Sequence, residues 1–369
     1  MTPVPDGTPG SIRRVLFISH THAFGSFRVG SHHYARALAQ RGIEVVHLST
    51  PISAAHRLTG RVRPDTARAI PVGPTVDEAG VVHLIPRPTL PRPHGPFRVA
   101  RHLRRQGISP RFDAVLLDQP LLWDTSVRTL SGRLVYRPTD LYPVGTKARL
   151  QRMILAEADG VIATSAEVLR GLDGPHVPTL DIPNGVDADR FAAPNETSPR
   201  PPVCVYVGAL DPRFDWPQVI AWARAMPEVR FVIAGPDAAP PGDLPTNVEL
   251  PGAIAYDTLP TLLQRAAVGV LPLSDDPLNA GRSPMKLYEY LAAGLSVVAT
   301  ATPVIATDES VGLYAYRDGG EALESLQRAL TRPTPNLAGV LRARAEDWDA
   351  KADALLGFLE HLPHGGRSA

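Results

Sequence analysis

A serine, a lysine and a glutamate lie close together in the last third of the sequence, at a spacing that suits a phosphorylated ligand. They are Ser283, Lys286 and Glu289, within the segment 282–294. A helix that begins near this serine would offer its free backbone N–H groups and the positive end of its dipole to a diphosphate. Ser283 would add a hydroxyl donor and Lys286 a point charge. Glu289, one turn further, could accept both hydroxyls of a ribose.

Gly208 is a second candidate for contact with a phosphate. It follows the apolar run 203–207 directly, and a residue without a side chain lets the backbone approach a ligand closely. The ordinary alternative for the whole pattern is a surface lysine beside a serine that caps a helix. Glu289, taken alone, could equally be structural.

Short apolar runs alternate with helical stretches along most of the chain, which is the pattern of a parallel sheet covered on both faces. The predicted strands are 14–19, 43–48, 114–117, 134–136, 161–163, 203–207, 229–234, 268–272 and 296–300. The predicted helices are 31–41, 217–225, 259–266 and a stretch around 286–293. The pattern predicts two doubly wound α/β domains in tandem, whose facing crevices would form a cleft for a nucleotide-sized ligand.

The alternation stops in the polar, proline-rich stretch 181–202, which is typical of a linker, and then restarts. We therefore expect three segments, at residues 1–185, 186–345 and 346–369. Residues 1–190 hold 24 Arg and Lys against 16 Asp and Glu, and the remainder hold 14 against 21. A basic half and an acidic half suit two domains with different partners.

Three motifs follow one another in the second half of the chain. They are Asn-Gly-Val-Asp at 184–187, Val-Gly-Ala-Leu-Asp at 207–211 and Ser-Pro-Met-Lys-Leu-Tyr-Glu-Tyr-Leu-Ala-Ala-Gly at 283–294. In this order they resemble the donor-binding domain of GT-B glycosyltransferases of the glycogen-synthase-like group. The resemblance extends to the C-terminal helix around Trp348, which is similar to the segment that crosses back to the first domain. It implies an N-terminal acceptor-binding domain and a C-terminal domain that binds a nucleotide-sugar.

The resemblance also implies the residues of the donor site. These are Gly208, Arg213, Gly252, Ile254, Tyr256, Arg282, Ser283, Met285, Lys286 and Glu289. The backbone around Gly252 and Ile254 would contact the nucleobase, and the expected nucleotide is UDP. Enzymes of this group use a helix dipole and basic side chains in place of a metal ion, so we expect no metal and no other cofactor.

The first half of the chain resembles one branch of the group more narrowly. Val-Tyr-Arg-Pro-Thr-Asp at 135–140, Ile-Ser-His at 18–20 and Met-Lys-Leu at 285–287 are similar to segments of the membrane-associated glucuronosyltransferase of xanthan synthesis. The aspartate of that relative is the catalytic base of an inverting reaction, which implies Asp140 as the base here. A carboxylate can accept the proton of an acceptor hydroxyl as its oxygen attacks the anomeric carbon. The alternative is that Asp140 caps the following turn or pairs with Arg137.

One departure from the family pattern bears on the stereochemistry. Retaining members carry a second glutamate before the one at Glu289, with seven residues between the two, and this chain has Gly281 there. Its absence favours an inverting reaction with Asp140 as the base. The neighbouring Arg282 could meet a phosphate or the carboxylate of a hexuronate donor.

Histidines after the first predicted strand are candidates for the acceptor side. In GT-B enzymes this loop approaches the donor sugar, which implies His20 as an alternative base. The implied acceptor contacts are His22, Arg28 and Arg137. A metal site that adds His32 and His33 is a weaker alternative, because adjacent histidines on one helix point to different faces and no acidic residue is nearby.

The segment 87–111 is strongly basic. It holds seven arginines and no acidic residue, interleaved with Leu90, Phe97, Val99 and Leu103. Such a segment predicts a surface for anionic lipid headgroups, or for a lipid-diphosphate-linked acceptor, and the alternative is a solvated helix face. Nucleic acid is not an expected partner, since no helix-turn-helix, zinc finger or aromatic platform is visible.

Length and composition exclude several other classes. The chain has 369 residues, of which 44% are hydrophobic, and a single Cys204 rules out a disulfide framework. No apolar run reaches the roughly 18 residues of a membrane span, and the first residues contain no export signal, so we expect a cytoplasmic protein with peripheral contact to the inner face of the membrane. Dinucleotide-binding, Walker A and Gly-x-Ser-x-Gly motifs are missing, which disfavours redox enzymes, ATPases and serine hydrolases.

These observations predict a metal-independent glycosyltransferase that moves a sugar from a UDP-sugar to an acceptor hydroxyl with inversion. The expected context is the biosynthesis of a polysaccharide, a glycolipid or a natural product. Three alternatives stay open: a retaining transferase of the same group, a nucleotide-sugar 2-epimerase, and a non-catalytic partner that binds sugar nucleotides. The anomeric configuration of the product, the need for an acceptor and the presence of turnover distinguish them.

Overall fold

The structure is a computed structural model that describes residues 11–25, 28–59, 70–91, 94–95, 97–172, 174–192 and 199–363. The described residues form two compact units. Unit 1 contains the residues up to Ala163, the segment Val168–Ile182 and the residues from Lys351 onwards. Unit 2 contains the segments Thr164–Glu167 and Pro183–Ala350.

Each unit is built on a sheet of short, mostly buried strands. The strands are β1 (Arg14–Ile18), β2 (Glu44–Leu48), β3 (Thr75–Val76), β4 (Val82–Leu84), β5 (Ala114–Leu117), β6 (Leu134–Tyr136), β7 (Gly160–Ala163), β8 (Thr179–Asp181), β9 (Val203–Val207), β10 (Arg230–Ala234), β11 (Val248–Glu249), β12 (Val268–Leu271), β13 (Ser296–Thr300) and β14 (Leu313–Tyr316).

Helices connect the strands. They are α1 (Gly30–Gln40), α2 (Ala54–Leu58), α3 (Val99–Arg105), α4 (Thr125–Arg128), α5 (Gly145–Glu157), α6 (Ala166–Arg170), α7 (Trp216–Ala225), α8 (Leu259–Leu263), α9 (Met285–Ala292), α10 (Gly319–Leu330), α11 (Leu337–Arg344) and α12 (Trp348–His361). Short 3-10 turns lie at Pro120–Leu122, Tyr256–Thr258, Pro277–Asn279 and Glu309–Val311.

The sheet of unit 1 has the order β3-β4-β2-β1-β5-β6-β7-β8. Every neighbouring pair is parallel except β3 with β4. The chain moves from β1 to β2 on one side, whereas β5 pairs with β1 on the other side. The strand order therefore reverses at β1, and ligands of such sheets bind where the order reverses, at the carboxyl ends of the strands.

The sheet of unit 2 has the order β11-β10-β9-β12-β13-β14, and all of its pairs are parallel. Its order reverses at β9, which has β10 on one side and β12 on the other. The loops that follow β9 and β12 are therefore the expected ligand loops of this unit. Both sheets are doubly wound, as the sequence predicts.

All nine predicted strands are present, with ends that differ by one residue at most. The sequence missed β3, β4, β8, β11 and β14, which are two to four residues long and too short to show a period. The predicted helix 259–266 is shorter, because α8 ends at Leu263.

The predicted linker 181–202 is wrong for its first part. β8 extends to Asp181, and Val186 exchanges backbone hydrogen bonds with Glu346 and Trp348 at 3.0 and 3.1 Å. Phe191 is completely buried in the core of unit 2. This segment is therefore part of the fold, and residues 193–198 lie outside the described chain. No helix in the described ranges is long and apolar enough to cross a membrane.

Candidate active site

The loop after β9 in unit 2 contains the predicted phosphate contact Gly208. Its N–H donates to the carbonyl of Ala234 at 3.0 Å. A Cβ at this position would lie 2.6 Å from the hydroxyl of Tyr206, which donates to the carbonyl of Ala209 at 2.8 Å. A side chain here would displace the Tyr206 hydroxyl, so packing by itself favours the glycine. Its contact with a phosphate stays a prediction.

Arg213, further along the same loop, is paired with a carboxylate. Its Nη2 and Nε donate to Oδ2 and Oδ1 of Asp211 at 2.5 and 3.1 Å. The Arg213 guanidinium lowers the pKa of Asp211, and Arg282 contributes in the same direction. The charge of Arg213 is therefore compensated within its own loop.

The loop that contains the predicted nucleobase contacts Gly252 and Ile254 packs against the segment 184–191, which begins with the Asn-Gly-Val-Asp motif. The ring of Tyr256 meets that of Phe191 edge to face at 5.9 Å, and the guanidinium carbon of Arg190 lies 5.0 Å from the Tyr256 ring centre. Ile254 packs, partly buried, against the core of unit 2. Gly252 has a φ of +78°, a conformation that favours glycine. Tyr256 and Ile254 thus have packing roles, and contact with a nucleobase stays a prediction.

Helix α9 begins as the sequence predicts, next to Ser283. Its first residue is the half-buried Met285, Pro284 precedes it, and no side chain caps it. Ser283 Oγ accepts the N–H of Asn184 at 3.1 Å, and the Ser283 carbonyl accepts from Asn184 Nδ2 at 2.7 Å. Ser283 therefore joins two motifs that are distant in sequence, while its hydroxyl proton can still be donated. Within the described part of the chain, no side chain caps the N-terminal N–H groups of α9, which suits an anionic ligand.

Lys286 and Glu289, one turn apart on α9, form an ion pair. Lys286 Nζ lies 2.6 Å from Glu289 Oε2. The side chain of Glu289 is 2% exposed and that of Lys286 is 20% exposed. The sequence predicts that both residues contact a ligand, whereas in the structure they are paired with each other.

Arg282, which precedes the motif, is half-buried and makes no ion pair with any residue that the structure describes. The carbonyl of the buried Gly281 beside it accepts the hydroxyl of Ser165 at 2.9 Å. Arg282 is thus a cation near the start of α9 whose charge no carboxylate neutralises directly.

In unit 1, charged residues gather where the central strands end. His20 follows β1, and its electrostatic neighbours are Asp118, Arg137, Asp140 and Lys147. Burial lowers the pKa of His20. The positive charges of Arg137 and Lys147 also lower this pKa, whereas the two carboxylates raise it. His20 Nδ1 is buried and has no hydrogen-bond partner among the described residues. The ring is therefore neutral at pH 7 and able to accept a proton.

Arg137 is paired with Asp118, a residue that the sequence analysis did not single out. Its Nε and Nη2 donate to Oδ1 and Oδ2 of Asp118 at 2.8 and 2.6 Å. The two side chains are 3% and 0% exposed, and the guanidinium carbon lies 5.4 Å from the ring centre of Tyr34. This burial does not favour the predicted contact of Arg137 with an acceptor. The sequence did offer a signal for Asp118, because it is a carboxylate that directly follows the predicted strand 114–117.

Asp140 is half-buried and does not pair with Arg137. Its Oδ2 accepts the hydroxyl of Thr139 at 3.3 Å. Burial raises the pKa of Tyr142, and the charge of Asp140 raises it further. The ammonium of Lys147 lies 4.5 Å from the centre of the Tyr142 ring. A carboxylate without a direct cation partner can accept a proton, so the role of Asp140 as a base stays a prediction that the local contacts allow.

The other predicted acceptor contacts, His22 and Arg28, belong to the loop after β1. Both are half-buried, and Arg28 Nη1 donates to the carbonyl of Gly25 at 2.9 Å. Burial lowers the pKa of His22, and the charge of Arg28 adds to this. The loop therefore carries a neutral imidazole and a cation side by side.

His32 and His33, the weaker metal candidates, are buried in α1. His32 Nδ1 accepts the N–H of Val29 at 3.2 Å, and its Nε2 lies 3.0 Å from the carbonyl of Thr21. Both ring nitrogens of His32 are thus used for internal contacts. Within the described ranges, no group of three or more His, Cys, Asp or Glu is arranged to hold a metal ion.

The basic segment 87–111 turns its apolar residues inward. Val99 and Leu103 of α3 are completely buried, and Phe97 packs against the same core. The exposed residues of α3 are Arg101, Arg104 and Arg105. Of the four predicted apolar contacts only Leu90, 48% exposed, lies at the surface, so the partly apolar character of this surface was overestimated. Arg92 of this segment lies outside the described residues.

The sequence matches one family model in the second half of the chain and one curated relative over a longer stretch. Residues 201–332 match the family model described as Glycosyl transferases group 1. The chain is also similar to TuaH of Bacillus subtilis (strain 168), which is named as a glycosyltransferase of teichuronic acid biosynthesis, at 25% identity over 64% of this chain. The match spans 64% of TuaH, which is less than two thirds of its length.

Two solved structures share the fold over almost the whole chain. A glycosyltransferase from Rickettsia africae ESF-5 has a TM-score of 0.66 and 13% identity, covering 95% of this chain and 98% of its own. HepE of Anabaena, solved with UDP and glucose, has a TM-score of 0.65 and 15% identity, covering 94% and 99%. The predicted GT-B class, with two doubly wound α/β domains, is confirmed.

Proposed function

We propose that the chain transfers a sugar from a nucleotide-sugar to an acceptor hydroxyl, and the match of residues 201–332 to the family model of group 1 glycosyl transferases supports this proposal. The observation that carries the proposal is the start of α9. No described side chain caps its N-terminus, and Arg282 lies three residues before its first residue, which suits the diphosphate of a nucleotide-sugar.

We propose UDP as the nucleotide. The structural neighbour HepE was solved with UDP and with UDP-glucose, which supports this choice. The name of TuaH supports an acceptor in polysaccharide biosynthesis. The nucleobase would contact the loop at Gly252 and Ile254, and the phosphates would approach Gly208, where no side chain projects.

The proposed reaction is a single inverting displacement with Asp140 as the base. The oxygen of the acceptor hydroxyl attacks the anomeric carbon, its proton passes to the Asp140 carboxylate, and the bond between that carbon and the diphosphate oxygen breaks to release UDP. Cations and backbone N–H groups at α9 stabilise the charge that develops on the leaving diphosphate. No metal ion is needed for these steps. Gly281, in place of the glutamate of retaining relatives, supports inversion.

His20 is the second candidate for the base. Its burial keeps the imidazole neutral at pH 7, and an unpartnered buried Nδ1 could take a proton from a hydroxyl. The variants Asp140→Asn and His20→Gln distinguish the two candidates, because loss of the true base removes most of the turnover.

The experiment is a turnover assay with a panel of UDP-sugars and polysaccharide-type acceptors. It compares the wild type with Asp140→Asn, His20→Gln and, as a control, Glu78→Gln at an exposed position of unit 1. We expect Asp140→Asn to lose at least about 100-fold in kcat while it still binds UDP. Wild-type turnover in Asp140→Asn would remove Asp140 from the mechanism. With an α-linked donor, a β-configured product would indicate inversion and an α-configured product retention.

We also propose that α3 attaches the protein to anionic membranes. Arg101, Arg104 and Arg105 are exposed on this helix, and its apolar residues Val99 and Leu103 are buried in unit 1, so the contact would be electrostatic. The test is co-sedimentation with vesicles of phosphatidylglycerol and phosphatidylcholine. Arg101→Glu with Arg104→Glu should abolish binding, and Arg344→Glu, an exposed arginine of unit 2, should not.

A further inference from the structure

Three cations of unit 2 were expected at the donor site, and the structure gives each of them a different surrounding. Arg213 is bound to both carboxylate oxygens of Asp211. Lys286 is bound to Glu289 at 2.6 Å. Arg282 makes no ion pair with any part of the chain that the structure describes. Two of the three charges are therefore already compensated.

Glu289 depends on Lys286. Its side chain is only 2% exposed, Oε2 accepts from Lys286 Nζ, and Oε1 has no hydrogen-bond partner in the described ranges. A buried carboxylate without a counter-ion is unfavourable, so removal of the ammonium would displace the Glu289 side chain. Lys286 therefore holds this side chain in place, with Oε1 left as an acceptor.

Arg282 has the opposite character. Arg282 is in electrostatic contact with Asp211, whose two oxygens already accept from Arg213. Arg282 lies three residues before the first residue of α9, the end at which the helix dipole is positive. A planar guanidinium can donate two parallel hydrogen bonds to two oxygens of one phosphate, a geometry that an ammonium does not provide.

We propose that the two cations have separate tasks: Arg282 binds the diphosphate of the donor, and Lys286 is a positioning residue that holds Glu289 for the ribose hydroxyls. This inference rests on the proposed function, because it takes a nucleoside diphosphate as the ligand. It reverses the expectation from sequence, in which Lys286 supplies the charge that meets the phosphate.

The test compares UDP with 2′,3′-dideoxy-UDP, which keeps the base and both phosphates but lacks the ribose hydroxyls. Binding of each is measured by calorimetry for the wild type, Arg282→Met, Lys286→Met and the control Arg344→Met. We expect Arg282→Met to weaken both nucleotides by the same factor, about tenfold or more. Lys286→Met should weaken UDP about tenfold and change the affinity for the dideoxy nucleotide less than about twofold.

A second variant guards against misfolding of Lys286→Met. Lys286→Met with Glu289→Gln contains no unpaired buried charge and should remain folded. Because both changes act on one contact, the double variant should bind UDP no more weakly than Lys286→Met alone. Additive losses would mean that Lys286 has a contact of its own with the ligand.

Each remaining outcome has one meaning. Equal weakening of both nucleotides by Lys286→Met would place its ammonium on the diphosphate and overturn the inference. Unchanged binding in Arg282→Met would overturn the assignment of the diphosphate to Arg282. A wild-type protein that binds neither nucleotide would instead overturn the proposed function, so the two failures are distinguishable.

Discussion

The hydroxyl of Tyr290, on α9, accepts the backbone N–H of Val207, the last residue of β9, at 2.9 Å. The ladder between β9 and β12 ends at Gly269, where a Cβ would lie 2.2 Å from the Tyr290 ring. The Tyr290 hydroxyl thus takes the hydrogen bond that a neighbouring strand would otherwise accept from Val207. It also joins α9 to β9, the strand that precedes Gly208. One side chain therefore connects α9, whose N-terminus is one proposed phosphate contact, to the strand before Gly208, which is the other.

We predict that Tyr290→Phe destabilises the protein by about 1–3 kcal/mol, because it leaves a buried N–H without an acceptor. UDP affinity should fall as well, since α9 and the Gly208 loop lose a shared contact. The measurements are urea unfolding and calorimetry. Tyr288→Phe is the matched control on the same helix, because Tyr288 is half-buried and its hydroxyl makes no hydrogen bond with the described residues. Equal effects in both variants would contradict the prediction.

Gly235→Ala should disturb the Gly208 loop from the opposite side. Its Cβ would lie 2.2 Å from the carbonyl oxygen of Gly208, a backbone atom that cannot move away cheaply. We expect a loss of stability of at least about 1–3 kcal/mol, the usual cost of overpacking, and weaker binding of UDP. Gly242→Ala is the control, because no atom lies within 4 Å of the Cβ that it would add. Thermal unfolding with and without UDP measures both effects.

Asp118→Asn is expected to destabilise unit 1 strongly. It leaves the guanidinium of Arg137 buried without its carboxylate, and breaking a buried pair costs about 3–5 kcal/mol. The double variant Asp118→Leu with Arg137→Met removes both charges and should be more stable than Asp118→Asn. Urea denaturation of the single and double variants provides the measurement. A double variant that is less stable than Asp118→Asn would contradict this prediction.

The stability of unit 1 should fall in acid. The register of β1, β2 and β4 places Phe17, His47 and His83 side by side, and the rings of His32 and His47 are 4.6 Å apart. Burial lowers the pKa of His47 to about 3, with further lowering from His83 and His20, and it lowers the pKa of His32 as well.

Because the unfolded chain binds protons near pH 6.5 and the folded one does not, stability is complete above pH 6.5 and decreases below it, by up to about 1.4 kcal/mol per pH unit for each such histidine. For His47 the loss continues to about pH 3. Urea unfolding between pH 7.5 and pH 5 measures the slope, and His47→Gln should reduce it. A slope that is unchanged in this variant would argue against His47.

The sequence predicts the long strands because runs such as 203–207 and 114–117 are continuously apolar, and it predicts α9 because its motif is specific. Edge strands of two residues, such as β3 and β11, offer no period to detect. The partners of the charged residues were the other omission. Arg137 pairs with Asp118 because Leu117 and Tyr136 are in register on neighbouring strands, a proximity that becomes visible only with the sheet order.

Unit 1 completes its core with residues that follow the main segment of unit 2 in the chain. Phe358 and Leu362 of the C-terminal segment pack against Gly160 of β7, where a Cβ would lie 2.9 and 3.0 Å from them. Arg133, itself buried, donates to the carbonyl of Leu362 at 3.4 Å, and Arg41 pairs with Asp353 at 2.8 Å. During translation, the N-terminal sheet therefore lacks these contacts until the segment from Lys351 onwards has left the ribosome. Unit 2, whose segment from Pro183 to Ala350 is continuous, can finish folding before the unit that precedes it in sequence.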